Sequence, residues 1–194
     1  MPKIVDHKLQ RKAICRAARD VFARRGVEAV GLVHVARAAG IGRASIYHYY
    51  ADKASLVRDL VRDLLAEEER FFSEALHSSE GGPLERIESL AGKLTELFSE
   101  WASLGKMLLD LWAISGAMFK PFFRRIRRDL AELIADGQCA GEINRTVEAG
   151  EAAAAVIAII DGMLLQMIVD PAAFGETAQT RRLLVRSVRR ILEP

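Results

Sequence analysis

Arg43, Ser45, Tyr47 and His48 stand within positions 43–48, just after Gly40-Ile41-Gly42. Together they offer a guanidinium fork, a hydroxyl, a phenol and an imidazole, groups suited to phosphate oxygens and to base edges. The chain offers less for catalysis. His7, His34, His48 and His77 never fall at metal-ligand spacing, and Cys15 and Cys139 form no ligand cluster. Neither G-x-S-x-G nor H-E-x-x-H occurs. Gly40-Ile41-Gly42 has no strand before it and no third glycine, so it does not read as a dinucleotide cradle. No enzyme, metal site or cofactor is expected.

The polar cluster lies in a basic head. Residues 1–53 carry 11 Lys/Arg against 4 Asp/Glu, a balance of +7, whereas the rest of the 194-residue chain carries −5. A basic end on an acidic body is the electrostatic footprint of a protein that presents one end to a polyanion.

Those residues need helices to place them. The chain is 51% apolar and 28% charged, with five Pro and 14 Gly, a composition of soluble all-α proteins. Ile14, Ala17, Ala18, Val21 and Phe22 recur at helical spacing over residues 8–25, with Arg11, Lys12, Arg16 and Arg19 on the other side and a stop at Gly26. Leu32, Val35, Ala36 and Ala39 form a second short pattern, and Ser45–Tyr50 a third. The glycines at 40 and 42 suit the tight corner between them. Asp52 reads as the N-cap of a fourth helix that turns Leu56, Leu60 and Leu64 inward and Arg58, Asp59, Arg62 and Asp63 outward. The pair of short helices over 27–56 is a helix-turn-helix, whose second helix enters the major groove by its N-terminal residues. By position Tyr50, and in part Tyr49, belong to its core.

The run Val35-Ala36-Arg37-Ala38-Ala39-Gly40-Ile41-Gly42-Arg43-Ala44-Ser45-Ile46-Tyr47-His48-Tyr49-Tyr50-Ala51-Asp52-Lys53, with Ile14, Ala17, Ala18, Phe22 and Gly26 upstream, resembles the DNA-binding domain of the TetR (tetracycline repressor) family of bacterial transcriptional regulators. The resemblance implies a homodimer that binds double-stranded DNA at an inverted repeat, with three-helix heads on a helical ligand-binding body. It implies that Gly31, Arg43, Ala44, Ser45, Tyr47, His48 and Tyr49 lie along the DNA and that Lys53 holds a phosphate. The chain departs from the family pattern where a Ser or Thr usually opens the second helix: Val30 and Gly31 stand there, and the turn carries Gly42 and Ala44. Gly31 can cap a helix but offers no hydroxyl to a phosphate. The missing hydroxyls support one alternative, a helical small-molecule binding protein or enzyme that has lost specific DNA binding.

Ser78–Pro83 breaks the chain, and helical patterns follow at about 84–102, 104–116, 121–136, 148–169 and 177–192, with Gly116, Gly137, Gly141 and Pro171 between them. We expect an all-α protein with a DNA-binding domain at 1–53 and a ligand-binding and dimerisation domain at 54–194. Ala152–Val169 is nearly all apolar, but Asp161 at its centre and acidic flanks argue for a core or subunit-interface helix over a membrane span. A dimer seam is expected from Ala153, Val156, Ile157 and Ile160 with Leu184, Val188, Ile191 and Leu192. Trp101, Met107, Leu108, Leu111, Trp112, Phe119, Phe122, Met163 and Met167 are the candidate contacts of a mostly apolar small-molecule inducer. Few cysteines and no apolar leader fit a reducing cytoplasm.

Overall fold

A computed structural model describes residues 7–78, 80–102, 104–170 and 172–194, with the side chains of all but 98–102. Every regular element among them is helical: α1 (His7–Arg25), α2 (Leu32–Ala38), a 3-10 turn (Ser45–His48), α3 (Lys53–Leu76), α4 (Pro83–Ala102), α5 (Gly105–Ala140), α6 (Ala149–Val169) and α7 (Thr177–Leu192). The chain forms two compact units, Met1–Ala66 with Leu104–Phe119, and Glu67–Ser103 with Lys120–Pro194. The units do not follow a single cut after residue 53. Both α3 and α5 begin in the first unit and continue into the second.

In the first unit α1 turns Ile14, Ala18 and Phe22 inward, where they are buried with Val35 of α2, Ile46 of the 3-10 turn and Leu56 and Val61 of α3. Met107 and Leu111 of α5 complete this core. Each such side chain contributes about 1.5–3 kcal/mol relative to exposure. The corner between α2 and the 3-10 turn needs a left-handed residue, and Gly40 supplies it at φ +68°. α3 starts on a reciprocal cap: the Ser55 amide donates to Asp52 Oδ1 (2.7 Å) and the Asp52 amide to Ser55 Oγ (3.3 Å). The Ser55 amide first, and its hydroxyl second, hold the Asp52 carboxyl below its usual pKa.

α5 differs from the expected pair of helices. Its break falls at Ser115 (φ −127°, ψ 22°), one residue before Gly116, and Pro121 follows within the new segment. Beyond it the helix runs through Gly137, where the Ile143 side chain lies against the place a Cβ would occupy. Gly137 is therefore a packing position and not a terminator.

The second unit packs α7 against α4 and α6. Ala153, Val156, Ile157 and Ile160 are buried within this single chain, as are Leu184, Val188 and Leu192. This corrects the expected seam: those residues form the core of the subunit, and Ile191 of the expected set is half-buried. What α6 and α7 leave exposed is a different stripe, Ala154, Ala158, Leu165 and Val169 on α6 with Leu183 on α7. α6 is long and apolar enough to cross a membrane by length and composition. Its buried side is explained by the packing on α4 and α7.

Candidate nucleic-acid interface and helical body

The 3-10 turn presents its polar residues because its apolar ones are anchored. Ile46 and Tyr50 are fully buried, and the Ser45 amide donates to the Gly42 carbonyl (2.9 Å), closing the turn. Arg43, Ala44 and His48 are left exposed, Tyr47 is 52% exposed, and Ser45 is half-buried. A tyrosine about half exposed beside an arginine, a histidine and a hydroxyl leaves much of its ring available to an external partner. The segment expected to meet DNA is thus a single 3-10 turn, with the Tyr49 and Tyr50 amides both donating to the Ile46 carbonyl.

The remaining expected contacts are placed differently. Gly31 caps α2 as an exposed residue whose amide donates to His34 Nδ1 (3.1 Å), so histidine fills the N3 half of a capping box while the half a hydroxyl at position 31 would supply is missing. Tyr49 is half-buried, its ring tilted against His7 at 4.7 Å. Lys53 does not extend freely: its ammonium donates to the carbonyls of Val27 (2.9 Å) and Glu28 (3.1 Å).

A network that the sequence did not reveal supports the turn from behind. Arg11, expected on the solvent face of α1, donates to the Tyr49 carbonyl (3.0 Å) and pairs with Asp59 of α3. Its guanidinium lies 4.5 Å from the centre of the Tyr50 ring. Tyr50 donates its hydroxyl to Asp59 Oδ2 (3.2 Å) and meets Cys15 Sγ at 3.3 Å. Asp59, expected to face outward, is turned in by these partners. Burial disfavours its charge, yet the Arg11 guanidinium, aided by Arg62, holds its carboxyl below the usual range. Burial also pushes the Tyr50 hydroxyl and the Cys15 thiol upward, so both stay neutral. Only the separation in sequence hid this network; the residue types alone gave no signal.

The candidate ligand contacts divide between the units. Met107, Leu111 and Phe119 are buried in the first unit, Leu108 is half-buried there, and Trp112, 37% exposed, meets Phe119 edge-on at 6.2 Å. Phe122 and Met163 are buried in the second unit with Met167 half-buried, and Phe122 stands edge-on to Phe72 (6.0 Å) and Phe123 (5.4 Å). The side chain of Trp101 lies outside the described residues. An open groove of about 520 Å³ between α4 and α7 has a different character. Arg181, Arg182, Arg186 and Arg189 line it with Glu85 and Glu88, and Arg189 binds Glu88 through two bonds of 2.5 and 2.8 Å. The cluster Arg124–Arg128 is likewise an ion-pair face: Arg125 lies 3.7 Å from both Glu69 and Asp129, and Arg128 meets Asp129 at 2.8 Å. No group of side chains arranged to hold a metal occurs among the described residues.

The family model for "Bacterial regulatory proteins, tetR family" matches residues 14–60, the whole of the helix-turn-helix, and that for "BetI-type transcriptional repressor, C-terminal" matches residues 116–193. The chain belongs to the TetR family. It is a DNA-binding transcriptional regulator of that family. A curated relative, the HTH-type transcriptional regulator BetI of Escherichia coli K12, is 26% identical over 172 residues, 86% of each chain. Among solved structures, reduced NemR of E. coli superposes with a TM-score of 0.78 at 18% identity, over 95% of this chain and 98% of that one. SmeT, repressor of the SmeDEF multidrug efflux pump of Stenotrophomonas maltophilia, gives 0.79 at 17% identity, over 95% and 90%. These likenesses show the fold.

Proposed function

We propose that this TetR-family protein acts in the cytoplasm as a homodimer that places one head on each half of an inverted-repeat duplex, and that a small, mostly apolar molecule bound by the helical body releases it. The observation that carries the DNA reading is the exposed set Arg43, Tyr47 and His48 on a turn whose Ile46 and Tyr50 are locked in the core. Arg43 reads a guanine edge or grips a phosphate, and Ser45 bonds a phosphate. The exposed apolar stripe of α6 and α7 supplies the dimer face, since a four-helix seam needs apolar surface that one subunit leaves open.

For the ligand, Phe122, edge-on to Phe72, and the second unit's Met163 and Met167 offer apolar and adaptable side chains. The same fold holds triclosan in a SmeT complex, which is similar to this chain at 16% identity. Binding there reaches the head through α3 or α5, and it weakens operator binding only by preferring a state in which the heads are wrongly spaced. Compounds that raise the melting temperature are the probes, assayed against a duplex selected from random sequence. Release by about 5–150-fold is expected. Tight ligand binding that leaves duplex affinity unchanged would refute the sensor reading.

A further inference from the structure

The two helices shared by the units meet on one residue of the head, Val27. The Val27 amide donates to Asp110 Oδ2 of α5 at 2.7 Å, and the Val27 carbonyl accepts from Lys53 Nζ of α3 at 2.9 Å. Lys53 also takes the Glu28 carbonyl at 3.1 Å. Val27 itself is fully buried. The residue before it, Gly26, ends α1 at φ +77°, and a Cβ there would stand 2.8 Å from Lys106 Cε and 3.1 Å from Asp110 Oδ2. The left-handed backbone conformation requires the glycine, and the Lys106 and Asp110 side chains of α5 occupy the space a Cβ would take. The loop gripped in this way runs directly into Gly31 and α2, which braces the recognition turn.

We infer that Asp110 and Lys53 are positioning residues, and that their clasp on Val27 is where the body sets the head's fitness for DNA. The two peptide groups that flank the Val27 Cα are held, the first by its N–H to α5 and the second by its C=O to α3. A relative shift of these helices must lengthen one of the two bonds or carry the loop with it. Neither group needs to touch DNA for this. The inference rests on the DNA-binding reading and adds to it the residues through which regulation passes.

Linkage is reciprocal, so bound duplex can stand in for an unidentified effector. The probe is a duplex selected from random sequence with the full-length wild-type protein. Three proteins are compared: wild type, Asp110→Ala, and Asp110→Asn, which retains an accepting oxygen. Affinity, its salt dependence and backbone amide exchange are measured with and without duplex. Removing a negative charge from a DNA-binding head should, by charge alone, tighten binding. The clasp predicts the opposite sign: Asp110→Ala binds about tenfold more weakly with an unchanged salt slope, and Asp110→Asn recovers to within about threefold. In the wild type the Val27 amide exchanges at least tenfold more slowly with duplex bound, and exchange in residues 120–134 of α5 changes with it. The wild-type exchange measurement decides the matter even if Asp110→Ala does not fold. Unaltered Val27 exchange, or Asp110→Ala binding as tightly as wild type or tighter, overturns the clasp while the DNA-binding reading stands. Failure of the wild type to enrich any duplex overturns both.

Discussion

Asp161→Asn keeps the shape of the side chain and removes a charge from the middle of α6. Asp161 is partly buried, with Ile160 beside it in the core. Burial raises its carboxyl to about 6, with Arg127 pulling the other way. Against an unfolded value of roughly 3.9, the shift is about two units, or ~3 kcal/mol at 1.36 kcal/mol per unit. The part of the side chain still in water screens this, leaving about 1.5–3 kcal/mol. The folded state holds the proton more tightly, so between about pH 4 and pH 6 it binds more protons than the unfolded chain and stability falls as pH rises. Asp161→Asn should therefore be more stable at pH 7.5, by about 3–12 °C in melting temperature for a chain of this size. Denaturant and thermal melts at half-unit steps from pH 7.5 to pH 4 give the test. The advantage should shrink steadily as the wild-type carboxyl takes up its proton and nearly vanish by pH 4. An advantage that is absent at pH 7.5, or is constant across the range, would refute the assignment of the charge to a desolvated site.

Three further outcomes follow from the contacts described. Arg43→Ala should cost about 1–3 kcal/mol on the selected duplex and flatten its preference among base substitutions, read by competition binding, if the guanidinium contacts a base edge. Leu165→Glu, on the exposed stripe, should give a folded monomer in sedimentation, whereas Ile157→Glu should unfold the subunit because it buries an unpaired charge. Arg11→Ala should lower stability by about 1–3 kcal/mol, since Asp59 loses its principal partner and the Tyr49 carbonyl a donor, measurable by urea unfolding.

The head was legible because its information is local. Apolar spacing from Ile14 to Phe22, the glycine at 40 and the cap at Asp52 each act within a turn or two of chain, and each produced the expected element. Arg11 with Asp59, and Val27 with Asp110, are 48 and 83 residues apart, and nothing in a charged residue's neighbours tells whether a distant helix will arrive to meet it. For the same reason Lys53, expected to hold a phosphate, gave no sign of the two carbonyls that hold it. α6 misled in another way: it is apolar on nearly every side, so its periodicity could not divide residues facing α4 and α7 from those left outside. Composition marked α6 as a core or subunit-interface helix, and only packing showed that Ile157 belongs to the core and Leu165 to the surface.

The central claim is that two copies of this chain read a two-fold symmetric duplex through the turn at 43–48. Selection from a random duplex pool with full-length protein, followed by sedimentation of the complex with the enriched sequence, tests it most directly. The account predicts an inverted repeat with half-sites about 34–36 Å apart or a multiple of it, an even number of chains per duplex, and affinity that falls steeply with salt. Enrichment of a site without two-fold symmetry, a single chain per duplex, or binding insensitive to salt would contradict it.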